Sequence, residues 1–95
     1  MKKSELVAYI KEQNPNFDED QVVSAVEAIF ECIGGALSEG KRVEIRGFGA
    51  FSVKGKPERM GRNPRTGEPV KIEAKNVVHF KPGKDLKQSV NQEAA

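Results

Sequence analysis

The stretch that decides how this chain is read runs from Lys54 to Lys75, KGKPERMGRNPRTGEPVKIEAK. It holds seven basic residues, Lys54, Lys56, Arg59, Arg62, Arg65, Lys71 and Lys75. Against them stand three acids, Glu58, Glu68 and Glu73, for a net of +4. Its only large apolar residues are Met60, Val70 and Ile72, and Pro57, Pro64 and Pro69 punctuate it. Such a segment cannot bury enough apolar surface to offset the entropy of ordering it against a core. Its flanks nevertheless alternate as strands do. Its centre, Asn63-Pro64-Arg65-Thr66-Gly67, reads as a β-turn with Pro at the second position. The expectation is a two-stranded ribbon projecting from a body, with Pro64 at its tip. Alone, such a ribbon is marginally stable and mobile.

Two roles suit a basic, unburied ribbon. One is a solvated loop whose proline only shapes the turn. The other is a groove binder. Arg59, Arg62 and Arg65 can fork onto phosphates or enter a narrow minor groove. Asn63 can bond minor-groove acceptors. Pro64 is rigid, apolar and lacks an N–H, so it can wedge between base pairs without burying an unpaired donor. Loop composition alone leaves both roles open. The rest of the chain favours the second. Residues 1–40 carry three basic and eight acidic side chains, a net of −5, whereas residues 41–87 carry thirteen and five, a net of +8. A total of +2 hides a basic half on an acidic scaffold, the footprint of a nucleic-acid partner.

Outward from the ribbon, the periodicity predicts an α+β body. Ser4 to Gln13 reads as a short helix with Leu6, Val7 and Ile10 inward and Ser4 as its cap, ended by Asn14-Pro15-Asn16. Asp18-Glu19-Asp20-Gln21 reads as an Asp variant of a capping box, and Phe17 with Val22 as a hydrophobic staple. The second helix runs to about Ser38, with Gly40 as its stop. Its central stripe is Val22, Val26, Ile29, Ile33 and Leu37, flanked by Val23 and Phe30 on one side and Ala25, Cys32 and Ala36 on the other. That arc covers about half the wheel, wider than the ~100° an ordinary surface helix needs. A second chain is the expected cover, since a body this small has little else to offer. Val43 and Ile45 form one strand, with Glu44 and Arg46 adjacent on its other face. Gly47-Phe48-Gly49 is a tight bend with Phe48 tucked under it. Phe51 and Val53 continue a second strand. Val70, Ile72 and Ala74 alternate again, and Val77 to Phe80 completes a third. Lys81-Pro82-Gly83 is a turn before a short helix from Lys84 to about Asn91, with Leu86 and Val90 inward and the following residues frayed.

Length and composition bound the function. Ninety-five residues suit a single domain over residues 1–95. The uninterrupted apolar runs are short, and the first residues lack a secretory pattern, so neither a membrane nor export is expected. Cys32 is the only cysteine. It can form no internal disulfide, which suits a reducing compartment. On the apolar face it reads as core rather than nucleophile. His79 has no metal-spaced partner and reads as a strand residue. No catalytic constellation, metal site or cofactor motif is expected, and an enzyme is the least supported class.

Three strings carry a resemblance. Val43-Glu44-Ile45-Arg46-Gly47-Phe48-Gly49-Ala50-Phe51, Gly61-Arg62-Asn63-Pro64-Arg65-Thr66-Gly67 and His79-Phe80-Lys81-Pro82-Gly83-Lys84 look like the HU and integration host factor family, over about Met1 to Asn91. Glu44 with Arg46 and the segment from His79 resemble its integration host factor beta-subunit branch most. HU and integration host factor are themselves established minor-groove proteins. The resemblance implies an intertwined dimer. Its body would be a two-helix N-terminal part, a three-stranded antiparallel sheet extended into a β-ribbon arm, and a short C-terminal helix. It implies a heterodimer with a related subunit, the alternative being a sequence-tolerant HU-like homodimer. It also implies double-stranded DNA as ligand, roles in recombination, transcription and translation regulation and nucleoid organisation, and a place on the nucleoid in bacterial cytoplasm. Pro64 would be the wedge, and Arg62, Asn63 and Arg65 would line the groove. Arg59, Lys71 and Lys75 would track phosphates. Arg46 would reach a minor groove, and Glu44 would orient a neighbour such as Arg42. Lys81, Lys84 and Lys87, with Lys3, would hold phosphates on the body. Val22, Val26, Ile29, Phe30, Ile33, Leu37, Phe48 and Phe51 would meet the partner. Two features depart from the family pattern: Gly34-Gly35 inside the second helix and Glu58 in the arm. Each helical glycine costs ~1 kcal/mol relative to alanine. The pair marks either a close helix approach or an early fraying end.

Overall fold

The computed structural model describes residues 1–92. The chain divides into two compact units, Met1–Gly35 and the remainder from Ala36. The first holds α1 (Lys3–Gln13) and most of α2 (Glu19–Ser38). The second holds strands β1 (Val43–Ile45), β2 (Gly49–Lys56), β3 (Arg59–Arg62), β4 (Pro69–Ile72) and β5 (Lys75–Pro82), then α3 (Lys84–Val90).

The helix ends follow local hydrogen-bond rules, with one correction. Ser4 does not cap α1: the Lys2 carbonyl accepts from the Glu5 and Leu6 N–H groups, so Ser4 falls inside the first turn. Asn14 closes the other end, its Nδ2 donating to the Ile10 carbonyl at 3.0 Å. At α2 the capping box is reciprocal. The Gln21 N–H donates to Asp18 Oδ1 at 2.8 Å, and the Asp18 N–H donates to Gln21 Oε1 at 2.9 Å. Two of the donors that a helix start leaves orphaned are thus satisfied together. Asp18→Ala is expected to lower stability by about 1 kcal/mol, read as a fall of a few degrees in the thermal midpoint by circular dichroism. Phe17, ahead of the cap, stays exposed beside Val22 and Ile10 on one shallow hollow. α2 ends in a Schellman motif: Gly40 N–H to Leu37 O and Lys41 N–H to Ala36 O, both 2.9 Å, with Gly40 at φ +77°. Helical geometry runs unbroken through Gly34 and Gly35 to Ser38, so those glycines do not mark an early end.

Val7, Val22 and Val26 form the core of the first unit, with Leu6, Ile10 and Val23 packed on it. No side chain in the described chain is less than 2% accessible. On α2, Ile29 and Phe30 are exposed, at 56% and 47%, and Cys32 is exposed instead of buried. α2 is also long and apolar enough, by length and composition, to cross a membrane, contrary to the expectation from its short apolar runs. Glu27 and Glu31 stand near its middle, where a charge in a bilayer costs about 2.5–3.5 kcal/mol.

The sheet runs β1-β2-β5, all antiparallel, and β3-β4 forms a second pair. Register sorts its two faces. Val43, Phe51 and Phe80 share one face with Val53 and Val78; Glu44, Ala50 and Lys81 share the other with Ser52, His79, Lys54, Val77, Lys56 and Lys75. On the apolar face Phe80 stacks at a tilt against Phe51 and Phe48, centroids 4.7 and 5.4 Å apart. Phe48 touches the cluster but remains 43% exposed, so it is only half tucked. Two tail expectations are corrected. Lys81 and Pro82 extend β5 rather than forming a turn, because they pair with Ala50 and Gly49. Val90 is 72% exposed rather than inward, at the last residue of α3. The fraying expected beyond Asn91 concerns, from Glu93 on, residues outside those described.

Candidate nucleic-acid interface

The ribbon is one hairpin whose ladder lapses once. Lys56 opposes Lys75, and three positions further along both strands Arg59 opposes Ile72. No residue is inserted on either side, so the register is continuous. Pairing stops at Pro57, which has no N–H to give. Ala74 therefore lies outside the strands, contrary to the alternation that included it. Beyond the lapse, β3 and β4 pair through Arg62↔Pro69, and the Asn63 N–H reaches the Glu68 carbonyl at 2.9 Å.

The tip is built by Asn63, Thr66 and Gly67. Asn63 Oδ1 accepts from the Arg65 N–H at 2.9 Å, and Thr66 Oγ1 from the Glu68 N–H at 3.3 Å. The closing bond is Gly67 N–H to Asn63 O at 2.7 Å, with Gly67 at φ +74°. The turn is therefore one residue wider than the four-residue β-turn expected. Pro64 keeps its place directly after Asn63 and is exposed, as are Arg62 and Arg65. Because the Asn63 carbonyl serves the turn, its amide N–H₂ is the half that can donate outward.

Register distributes the cations in a way the sequence reading missed. Met60 opposes Lys71 and Arg62 opposes Pro69, so Arg62 and Lys71 share a face; Arg59, opposite Ile72, lies on the other with Gly61 and Val70. At the root, Lys56 and Lys75 stand directly opposite, with Lys54 two residues back on the same face. Lys54 and Lys56 thus belong to the functional face of the root and not only to the net charge of the ribbon. The two-residue period from Lys54 to Lys56 was the available signal. Like charges directly opposed destabilise a bare ribbon, which an anion between them relieves.

Elsewhere in this unit, Arg42, Glu44, Lys81 and Lys84 line one open hollow of about 290 Å³ beside Gly83. Arg46 is not with Glu44 on the strand: it lies in the turn after β1, closed by Phe48 N–H to Ile45 O at 3.0 Å. Among the described residues no ion pair joins Glu44 to Arg42 or Arg46; those present are Lys3–Glu27 at 3.5 Å, Lys41–Glu39 at 2.8 Å and Lys71–Glu58 at 3.6 Å. Lys87 is exposed in the last turn of α3, and His79 is exposed on β5 opposite Ser52. Lys3 opens α1 in the other unit.

A cationic two-stranded ribbon on a small amphipathic sheet defines the class of β-ribbon DNA-binding architectural proteins. A family model described as bacterial DNA-binding protein matches residues 1–91. The chain belongs to that family, the HU and integration host factor family. It is 52% identical over 91 residues to integration host factor subunit beta of Halorhodospira halophila, covering 96% of this chain and 89% of that one. It is 51% identical over 90 residues to the subunit of the same name from Xylella fastidiosa, covering 95% and 86%. An Anabaena HU–DNA cocrystal structure superposes with a TM-score of 0.85 at 34% identity, covering 98% of this chain and all of that chain.

Proposed function

We propose that this chain is one subunit of an integration host factor-like heterodimer that bends double-stranded DNA by minor-groove binding and proline wedging. The carrying observation is the ribbon itself: an exposed proline on a hydrogen-bonded tip, between arginines, above a root of opposed lysines. Relatives named as beta subunits and a neighbour crystallised with DNA support the reading. Arg62, Asn63 and Arg65 flank the wedge. Lys54, Lys56 and Lys75 take phosphates at the root, and Arg59 does so from the opposite face. Arg42, Lys81 and Lys84 meet phosphates at their shared hollow, where Glu44 orients Arg42. Arg46 reaches a minor groove, and Lys87 and, in the other unit, Lys3 meet phosphates of their own. Ile29, Phe30, Ile33 and Leu37 of α2, and Phe48 and Phe51 of the sheet unit, take the partner; Val22 and Val26, expected there too, are buried instead in the chain's own core. Residues 1–95 work as a single domain in this reading. The chain is not an enzyme and acts on the nucleoid in the bacterial cytoplasm, in recombination, gene regulation and chromosome organisation.

The second reading is an HU-like homodimer without strong sequence preference, favoured by the structural likeness to HU. Band-shift competition over a salt series separates the two. Both predict a linear fall of log K with log salt concentration. With a second subunit present, a preferred site is expected to outcompete random duplex by about a thousandfold or more. Equal competition by this chain alone sinks the heterodimer reading.

A further inference from the structure

We infer that Glu58 withholds Lys71 from DNA and so sets how many phosphates each arm neutralises. This rests on the DNA-binding reading above. Glu58 Oε1 lies 3.6 Å from Lys71 Nζ, and the two side chains are 57% and 60% exposed. A pair so exposed adds little to folding. Its consequence is the charge that the arm presents. Glu58 occupies the ladder lapse beside Pro57, two residues before Met60, which opposes Lys71. That places the carboxylate diagonally across from the lysine, within cross-strand reach. Lys71 and Arg62 are the two cations on their face of β3–β4. With Lys71 paired, Arg62 is left to act there. A phosphate approaching Lys71 must displace the carboxylate or be repelled by it. In either case the contact releases no net counterion. The grip of the arm is thereby concentrated at the lysine root and at the tip, where Pro64 acts.

The test uses the full chain in its native assembly, a mixed-sequence duplex of about 40 base pairs, and salt from roughly 0.05 to 0.3 M, over which the slope of log K against log salt counts neutralised phosphates. Glu58→Gln is expected to steepen the slope by about 0.9 per arm. At the lowest salt it is expected to tighten binding by about two- to fivefold per arm. In a Lys71→Gln background the same change is expected to leave the slope unaltered. A slope insensitive to Glu58→Gln overturns this inference alone. So does equal steepening with and without Lys71, which would make Glu58 a diffuse charge. If the unmodified assembly binds no duplex at any salt, the inference falls together with the reading it rests on.

Discussion

Pro64→Ala is expected to reduce the bend of bound DNA far more than it reduces affinity. In the proposed reading, affinity comes from phosphate contacts by Lys54, Lys56, Lys75 and the arginines, none of which the substitution touches. The bend comes from prying a base step apart, which costs a few kcal/mol and needs a rigid apolar wedge. Alanine is smaller, carries an N–H that the stack would leave unpaired, and lets the tip relax. The tip's own bonds, from Arg65 N–H to Asn63 Oδ1 and Gly67 N–H to Asn63 O, do not involve the proline ring. The variant arm therefore folds. Energy transfer between dyes on the ends of a duplex of about 40 base pairs is expected to fall part of the way to its unbound value, since the partner keeps its own arm, while affinity drops by less than about tenfold and the salt slope holds. An unchanged end-to-end distance removes Pro64 from the mechanism.

Phe30→Asp on α2 is expected to abolish the dimer and, with it, DNA binding. In the single chain Phe30 is 47% exposed and Ile29 56%, so neither supports the chain's own core to any large degree. If this face is solvent-facing in the working protein, an aspartate there changes stability by no more than about 0.5 kcal/mol. If it is buried against a partner, the substitution forfeits about 2 kcal/mol of apolar burial and adds the cost of an unpaired buried charge, in total about 4 kcal/mol or more per substituted chain. That is roughly a thousandfold in the association constant. Sedimentation equilibrium would show the mass falling to that of one chain, with a lowered thermal midpoint. An unchanged mass and midpoint would exclude this face as the interface.

Gly34 lies at the flank of the α2 stripe, and Gly35 on the back of the helix. A Cβ placed on either meets nothing within 4 Å. Among the described residues no atom would obstruct a side chain at either position, although each glycine weakens a helix by ~1 kcal/mol relative to alanine. Of the two explanations the sequence left open, unbroken helical geometry removes the fraying end.

Much of the fold and site was legible from short windows of residues. The box of Asp18 and Gln21, the stop at Gly40, the alternation of Val43, Phe51, Val53 and Phe80, and the unburied ribbon with Pro64 at its end are all decided by neighbours a few positions apart. Helical period, strand period, capping bonds and proline's missing N–H act at that range, so the sequence by itself determined them. It also determined that the charge is divided between an acidic helical part and a basic β part. The remaining features depend on register between distant segments. The pairing of Lys56 with Lys75 and of Met60 with Lys71 puts Arg62 and Lys71 on one face and Arg59 on the other. It brings Glu58 to Lys71 across the ribbon and gathers Arg42, Glu44, Lys81 and Lys84 around one hollow, while leaving Arg46 in a turn. A shift of one residue would exchange every one of these neighbours, because strand side chains alternate faces. The charges of the arm could be counted from the sequence. Their division into a tip with Pro64 between arginines, a lysine root and a Glu58–Lys71 pair between the two exists only once the strands are in register.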